Sequence, residues 1–261
     1  MSIHPTAKVD PKAQFGDVQV EAYAVIGPGV SLADGVRVGP HAVIYGPTSI
    51  GEGTQISAHA VIGGAPQDDR HDDSVETRLV IGRDTVIREF CTIHRGSSAD
   101  RGLTRVGDGV YMMARCHVGC DATVGDRVTL ATGAVLGGHV DVGPGAVLGL
   151  GATVHQYCRV GRLAMVAQGA MCTQDVPPFS LAQGDRARLF GLNVRGLKRS
   201  AISPEAVGSL KQAWRTLFSE GLPLKAALAR VRGSSVAEVE ELVEFASSST
   251  RGIARSVGRS S

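Results

Sequence analysis

Every sixth residue through most of this chain is a small-to-medium apolar one. The first run is Val20, Ile26, Leu32, Val38, Ile44, Ile50, Ile56 and Ile62, the second Ile81, Ile87 and Ile93. A third run goes from Val106 through Met112, Val118, Val124, Leu130, Leu136, Val142, Leu148, Val154, Val160 and Val166 to Cys172. A small residue sits two positions earlier in most hexads, as at Ala24, Val36, Ala42, Thr54, Ala60 and Ala134. An amphipathic helix repeats near 3.6 residues and a half-buried strand repeats at 2, so a period of six fits neither. It fits a parallel β-helix, in which three hexads make one triangular coil of about eighteen residues and each Ile, Leu or Val stacks on its equivalents above and below. Glycine often follows the apolar residue, as at Gly27, Gly39, Gly51, Gly63 and Gly161, which suggests corners that need permissive dihedrals.

Composition agrees with a thin solenoid. The 261 residues include 34 glycines and only 4% aromatics, which suits an interior too narrow for Phe or Trp. The net charge of +2 gives no reason to expect nucleic acid. Charge is uneven, however: from Arg186 onward thirteen Lys/Arg face six Glu, a basic end suited to an acidic partner or to phosphates. The five cysteines (Cys91, Cys116, Cys120, Cys158, Cys172) form no CxxC pair and are expected to be reduced. The opening MSIHPTAKVD has no apolar signal region, and no run of eighteen apolar residues occurs. A cytoplasmic protein without a transmembrane segment is expected.

The rhythm breaks twice, in the densely charged stretch 64–79 and again at 94–105; solenoids place such insertions as loops on one face, often the binding face. It stops at VPPF, 176–179. The expected division is a β-helix over 1–186 and a helical domain over 187–261. Ser203-Pro204-Glu205 reads as a helix start, and Gly221 as its stop. Pro223 opens a second helix and the region of Ser235 a third. Such a cap would seal the solenoid's exposed end. Flat β-helix faces pack on copies of themselves, and a homotrimer is expected by analogy with other hexapeptide-repeat proteins.

Polar side chains gather at one level of the solenoid: Arg115, His117, Cys120, Asp121, His139, His155 and Gln156. His139 lies eighteen residues after Asp121, so the two should stack about 4.8 Å apart. Cys120, Gly138 and Gln156 form the next column, and Gly119, Gly137 and His155 another. Glycines beneath a His and a Gln leave room for a ligand. His117, His139 and His155 include no close pair, and no Cys/His pair has a usual metal spacing, so neither a metal nor a cofactor is expected.

Four segments, IREFCTIHRG (87–96), TVHQYCRVG (153–161), QDVPPFSLAQG (174–184) and FGLNVRGLKR (190–199), resemble the bacterial UDP-N-acetylglucosamine O-acyltransferases. The likeness extends over nearly the whole chain, including the STRGIAR ending (249–255). It implies a left-handed β-helix of hexapeptide repeats with a C-terminal helical domain, a homotrimer, and an active site in the cleft between subunits. The implied reaction moves a 3-hydroxyacyl chain from acyl carrier protein to the 3-hydroxyl of UDP-N-acetylglucosamine, the first step of lipid A synthesis. By the same resemblance, His117 lies near the reaction centre and Asp121 orients the catalytic base. His139 and Gln156 surround the acyl thioester and sugar, and His155 is a sugar-side contact. Asp68 and Arg70 lie near the glucosamine, while Asn193 and Arg199 contact the nucleotide, Arg199 facing the diphosphate.

Three departures from the family pattern stand out. The family carries a His general base directly before the Asp, whereas this chain has Cys120. Base, acyl-accepting nucleophile and lost chemistry are all open for that thiol, and His117 or His139 could act as base instead. Gln168 occupies the position that limits acyl length, which predicts a shorter acyl chain. Arg195 replaces an acid near the nucleobase, and Ser200 replaces a second Arg after Arg199. Two alternatives to the O-acyltransferase follow: an N-acyltransferase acting on a 3-amino UDP sugar, and a β-helical trimer that binds a nucleotide sugar or carrier protein without turnover.

Overall fold

The computed structural model describes residues 1–254; Arg255 and Arg259 of the basic end, and the last residue of STRGIAR, lie outside the described residues. Short parallel strands form three sheets of eleven, nine and eight strands, one per face of a triangular coil. Registers follow the eighteen-residue arithmetic: Val38 pairs with Val20, Ile44 with Ile26 and Ile50 with Leu32. Across the first insertion Ile50 pairs with Ile81, and across the second Ile93 pairs with Val118. The extra residues are therefore extruded and the hydrophobic stack is unbroken. The hexad residues and the small residues two positions earlier both point inward, Ile44, Ile62, Ala42 and Ala60 being fully buried. Only small side chains fit where the coil turns inward twice in succession, which explains the alternation of Ala with Ile.

The glycines that follow the apolar residues act differently from expectation. Among those named, only Gly63 has a positive φ. A Cβ on Gly39 would stand 2.9 Å from the Ala58 nitrogen, and one on Gly161 2.3 Å from the Pro178 nitrogen. These positions are glycine because successive coils approach too closely for a side chain. The left-handed corners fall elsewhere, and many carry side chains, among them Tyr23, His41, His59, Phe90, Asp121, His139 and Tyr157. Corner residues stack from coil to coil: the rings of Tyr23, His41, His59 and Phe90 form a column with centroids 5.0, 5.0 and 5.1 Å apart. Arg115 is itself a left-handed corner, and it is absent from the cavity that gathers His117, Cys120, His139 and Gln156.

After the last hexad, Ser180–Gln183 joins the eleven-stranded sheet in parallel and Arg188–Leu192 returns antiparallel along it. Periodicity could not show this hairpin. Four helices follow: α1 (Val194–Arg199), α2 (Pro204–Phe218), α3 (Leu224–Val231) and α4 (Ala237–Ser247). The expected start of α2 holds, with Ser203 accepting from the Ala206 N–H and Pro204 in the first turn. The buried Trp214 of α2 donates Nε1–H to Ser180 Oγ at 2.9 Å. From the β-helix, Arg162 grips Glu241 of α4 through Nε and Nη2, at 2.9 and 2.7 Å to the same carboxylate oxygen. Arg159 bonds Asp175 at 3.0 Å and lies over the Phe245 ring at 4.3 Å. Among the described residues no helix is long and apolar enough to cross a membrane. All five cysteines are free and buried.

Candidate active site

A cavity of about 610 Å³ opens beside the Asp121–His139–Tyr157 corner, lined by Gln67, Asp68, Asp69, Arg70, His117, Gly119, Cys120, Val135, Gly137, Gly138, His139, Gln156 and Tyr157. Coil stacking and the first charged loop thus bring together His117, Cys120, His139, Gln156, Asp68 and Arg70. Asp121 lies directly behind, fully buried. The glycine columns do not supply the space as expected: a Cβ on Gly119 would stand 2.6 Å from the Gly138 nitrogen and one on Gly137 2.8 Å from the Gln156 nitrogen, so these glycines permit close coil approach. A Cβ on Gly138 would already stand 3.3 Å from both the carbonyl oxygen and the Sγ of Cys120.

The first insertion lines the cavity through Gln67, Asp68, Asp69 and Arg70, and it is tied to the second. Asp72 N–H donates to Ser98 Oγ at 2.7 Å, and Ser98 Oγ lies 3.1 Å from His71 Nδ1. Asp121 anchors the second loop from beneath: its Oδ2 accepts from Ser97 N–H at 2.8 Å and its Oδ1 from Leu103 N–H at 3.3 Å. Within the first loop Arg70 donates Nε–H and Nη2–H to the two oxygens of Asp68, at 3.0 and 2.9 Å. That fork holds the Asp68 carboxyl well below the usual carboxylate range.

The stacking of Asp121 and His139 holds, but the two are not hydrogen-bonded. Asp121 Oδ2 lies 3.9 Å from His139 Nδ1. The hydrogen-bond partner of His139 is Asp100, whose Oδ2 lies 2.7 Å from Nδ1. Sequence reasoning missed Asp100 because it sits in an insertion where the hexad rule assigns no position. It also missed Tyr157, which the rule does reach: Tyr157 is eighteen residues after His139, and their rings stack at 4.2 Å. His117 holds Nδ1 2.8 Å from Thr92 Oγ1, one coil below. Burial, with the neighbouring His94, pushes the His117 imidazole below its ordinary value. The Cys120 thiol is pushed up, first by burial and then by the Asp121 and Asp68 carboxylates. A thiol so placed stays protonated at neutral pH, which makes it a poor base.

The remaining candidates lie apart. His155 is exposed and outside the cavity lining, with Nδ1 3.1 Å from Arg251 Nη2. Asn193 caps α1 through Oδ1, accepting from Gly196 N–H at 3.0 Å, and donates Nδ2–H to the Leu163 carbonyl at 2.9 Å. Its side chain is already used by the fold. Arg199 is exposed at the end of α1, and Gln168 is exposed on another corner. Cys120, Asp121 and His139 each bring one potential ligand atom within 4.8 Å of the others. Linear spacing gave no hint of this, because the stacking of coils creates it.

Comparisons with known proteins bear on the family and the fold. Residues 175–254 match the family model described as UDP-N-acetylglucosamine O-acyltransferase, domain 2, and residues 30–64 match the bacterial transferase hexapeptide. The acyl-(acyl carrier protein)–UDP-N-acetylglucosamine O-acyltransferase of Syntrophobacter fumaroxidans is 46% identical over 98% of this chain and 100% of its own. The enzyme of the same name from Neisseria gonorrhoeae is 43% identical over 97% and 99%. Among solved structures, LpxA from Acinetobacter baumannii superposes with a TM-score of 0.93 at 33% identity, covering 97% of this chain and 99% of that one. UDP-N-acetylglucosamine acyltransferase from Campylobacter jejuni gives 0.92 at 34% identity, over 98% and 100%. With relatives this similar over essentially their full length, and with the repeat and the C-terminal region both matched, the chain belongs to the acyl-(acyl carrier protein)–UDP-N-acetylglucosamine O-acyltransferases.

Proposed function

We propose that this protein transfers a 3-hydroxyacyl chain from acyl carrier protein to the 3-hydroxyl of UDP-N-acetylglucosamine, opening lipid A synthesis in the cytoplasm. The observation that carries the mechanism is the bond between the cavity-lining His139 and Asp100 behind it. With Asp100 accepting from Nδ1–H, Nε2 of His139 keeps its lone pair and serves as general base toward the sugar hydroxyl. The alkoxide forms as it attacks the thioester carbonyl. The tetrahedral intermediate collapses to the ester, and the departing pantetheine thiolate takes the proton back from His139. Among the described residues the Gly138 amide takes no backbone acceptor, and it lines the same cavity, so it is a donor available to the oxyanion. His117, whose lowered value keeps it neutral, positions the reactants, as does Gln156. The Asp68–Arg70 pair binds the sugar. Asp121 acts indirectly, by holding the loop that carries Asp100.

Cys120 is a spectator thiol in this reading. Arg199 and the basic C-terminal surface take the diphosphate and the acidic carrier protein. Asn193 contributes by fixing α1 beside them. Gln168 shortens the acyl groove, and His155 with Arg251 faces the cleft completed by a neighbouring subunit of a homotrimer.

The test mixes purified protein with hydroxyacyl carrier proteins of several chain lengths and with UDP-N-acetylglucosamine or its 3-amino counterpart, and reads product by mass spectrometry. O-acylated product with the hydroxyl sugar supports the proposal. Product with the amino sugar alone would replace it with N-acyl transfer, which a neutral amine achieves with less help from a base. Saturable binding without product would make the chain a binding protein.

A further inference from the structure

The most unusual chemistry in the cavity is the thiol. The side chains of Cys120, Asp121 and His139 are all buried, and one ligand atom of each lies within 4.8 Å of the other two. They combine the three donor types found in tetrahedral zinc sites: thiolate, carboxylate and imidazole. Their arrangement is fixed by the backbone. Asp121 and His139 occupy equivalent left-handed corners of adjacent coils, and His139 N–H donates to the Cys120 carbonyl at 2.8 Å, locking the coils in register.

Two further observations point to a ligand at this sulfur. Cys91 and Cys116 satisfy their thiols on backbone carbonyls, at 3.1 Å to Met113 and 3.1 Å to Ala131. Cys120, Cys158 and Cys172 donate no such bond among the described residues, and of these three buried thiols Cys120 is the one that lines the cavity. In addition, Gly138 leaves the approach to the sulfur open, since a Cβ there would stand 3.3 Å from Sγ. Asp121 is oriented by the Ser97 and Leu103 amides, and each of its oxygens keeps a lone pair for a cation.

We propose that Cys120, Asp121 and His139 form a binding site for a soft divalent cation, zinc foremost, with a fourth position open to the cavity. Binding releases the thiol proton to solvent and leaves a thiolate on the metal. Asp100, whose side chain is 43% exposed, is free to swing away from His139 or to supply a further oxygen. On the base role proposed for His139, a cation held at Nδ1, the nitrogen that faces Asp121, takes that nitrogen from Asp100, so bound zinc inhibits acyl transfer.

The probe is Co²⁺, titrated without sugar or carrier protein into the full chain kept reduced by a phosphine. One equivalent per chain should bind, with visible bands of a four-coordinate ion and a near-ultraviolet thiolate-to-cobalt charge-transfer band that Zn²⁺ then bleaches. Cys120→Ser should remove the charge-transfer band and weaken binding by about tenfold or more. His139→Ala should weaken it similarly. The four inward-facing cysteines remain in every variant, so a charge-transfer band that survives Cys120→Ser would overturn the proposal, as would its absence at saturating Co²⁺. Circular dichroism spectra and melting temperatures matching the parent's show that a variant has folded. Where Cys120→Ser does not fold, Cys120→His serves, retaining binding while losing the charge-transfer band. Because neither substrate is present, the outcome is independent of whether the chain acylates UDP-N-acetylglucosamine.

Discussion

Replacing Asp100 with Asn probes the His139 pair without altering shape. The 2.7 Å separation from Nδ1 is that of a charge-assisted bond. Buried bonds of that kind contribute about 1.5–3 kcal/mol. The Asp100 side chain is 43% exposed, so solvent screening reduces the expected loss to about 1–2 kcal/mol. At 1.36 kcal/mol per decade this is roughly a 5–30-fold fall in kcat. KM for the sugar nucleotide should change little, since Asp100 is absent from the cavity lining. His139→Ala should lose more, about 10²–10⁴-fold, the usual range for a general base. Initial rates by mass spectrometry, with kcat and KM resolved, check both values, and Asp100→Glu should recover part of the loss. A folded Asp100→Asn enzyme with unchanged kcat, or with its loss confined to KM, would refute the assignment of His139 as an Asp-oriented base.

Ile62, fully buried and stacked between Ile44 and Ile93, should cost about 2–5 kcal/mol when cut to Ala, read as a lowered denaturant midpoint at fixed protein concentration. Gly138→Ala should lower acyl transfer roughly tenfold or more, read in initial rates, because its Cβ would stand 3.3 Å from the Cys120 carbonyl oxygen and Sγ and shift that side of the cavity. His117 has its imidazole lowered from 6.5 by burial. The unfolded chain therefore takes up a proton there as pH falls through about 6.5 while the folded chain resists. Its contribution to stability is complete above that pH and is lost below it. Denaturant midpoints between pH 5 and 8 should fall more steeply toward acid for the parent than for His117→Gln.

The hexad rhythm was enough to read the β-helix, its register and the stacking of Asp121 on His139, because a coil of fixed length turns sequence spacing into position. The same rule reaches Tyr157, which coil arithmetic places above His139. It does not reach Asp100 or the clasp between His71 and Ser98. Those depend on how two insertions fold back over the solenoid, and inserted residues have no assigned column. Resemblance alone likewise could not show that Asn193 spends its side chain on the α1 cap and on Leu163. The corner glycines illustrate a different limit: glycine marks both positive φ and close approach, and only coordinates separate Gly63 from Gly39.

Asp121 has a task in this site that does not depend on a base at position 120. An acid whose only task was to orient a neighbouring base would have no function beside a protonated thiol. Here its oxygens accept from two backbone amides, of Ser97 and Leu103, that flank the loop carrying Asp100. Removing the carboxylate leaves those buried donors unpaired at about 1–3 kcal/mol each, so Asp121→Ala should free the 94–105 loop and separate Asp100 from His139. Hydrogen exchange at Ser97 and Leu103 should quicken, and kcat should fall at least as far as in Asp100→Asn. Cys120→Ala removes neither amide contact and should keep acyl transfer within a few-fold of the parent. If Cys120→Ala abolished turnover while Asp121→Ala left both the loop and the rate intact, the proton would have to pass through sulfur, and the division of labour between the anchoring aspartate and the Asp100-held imidazole would be wrong.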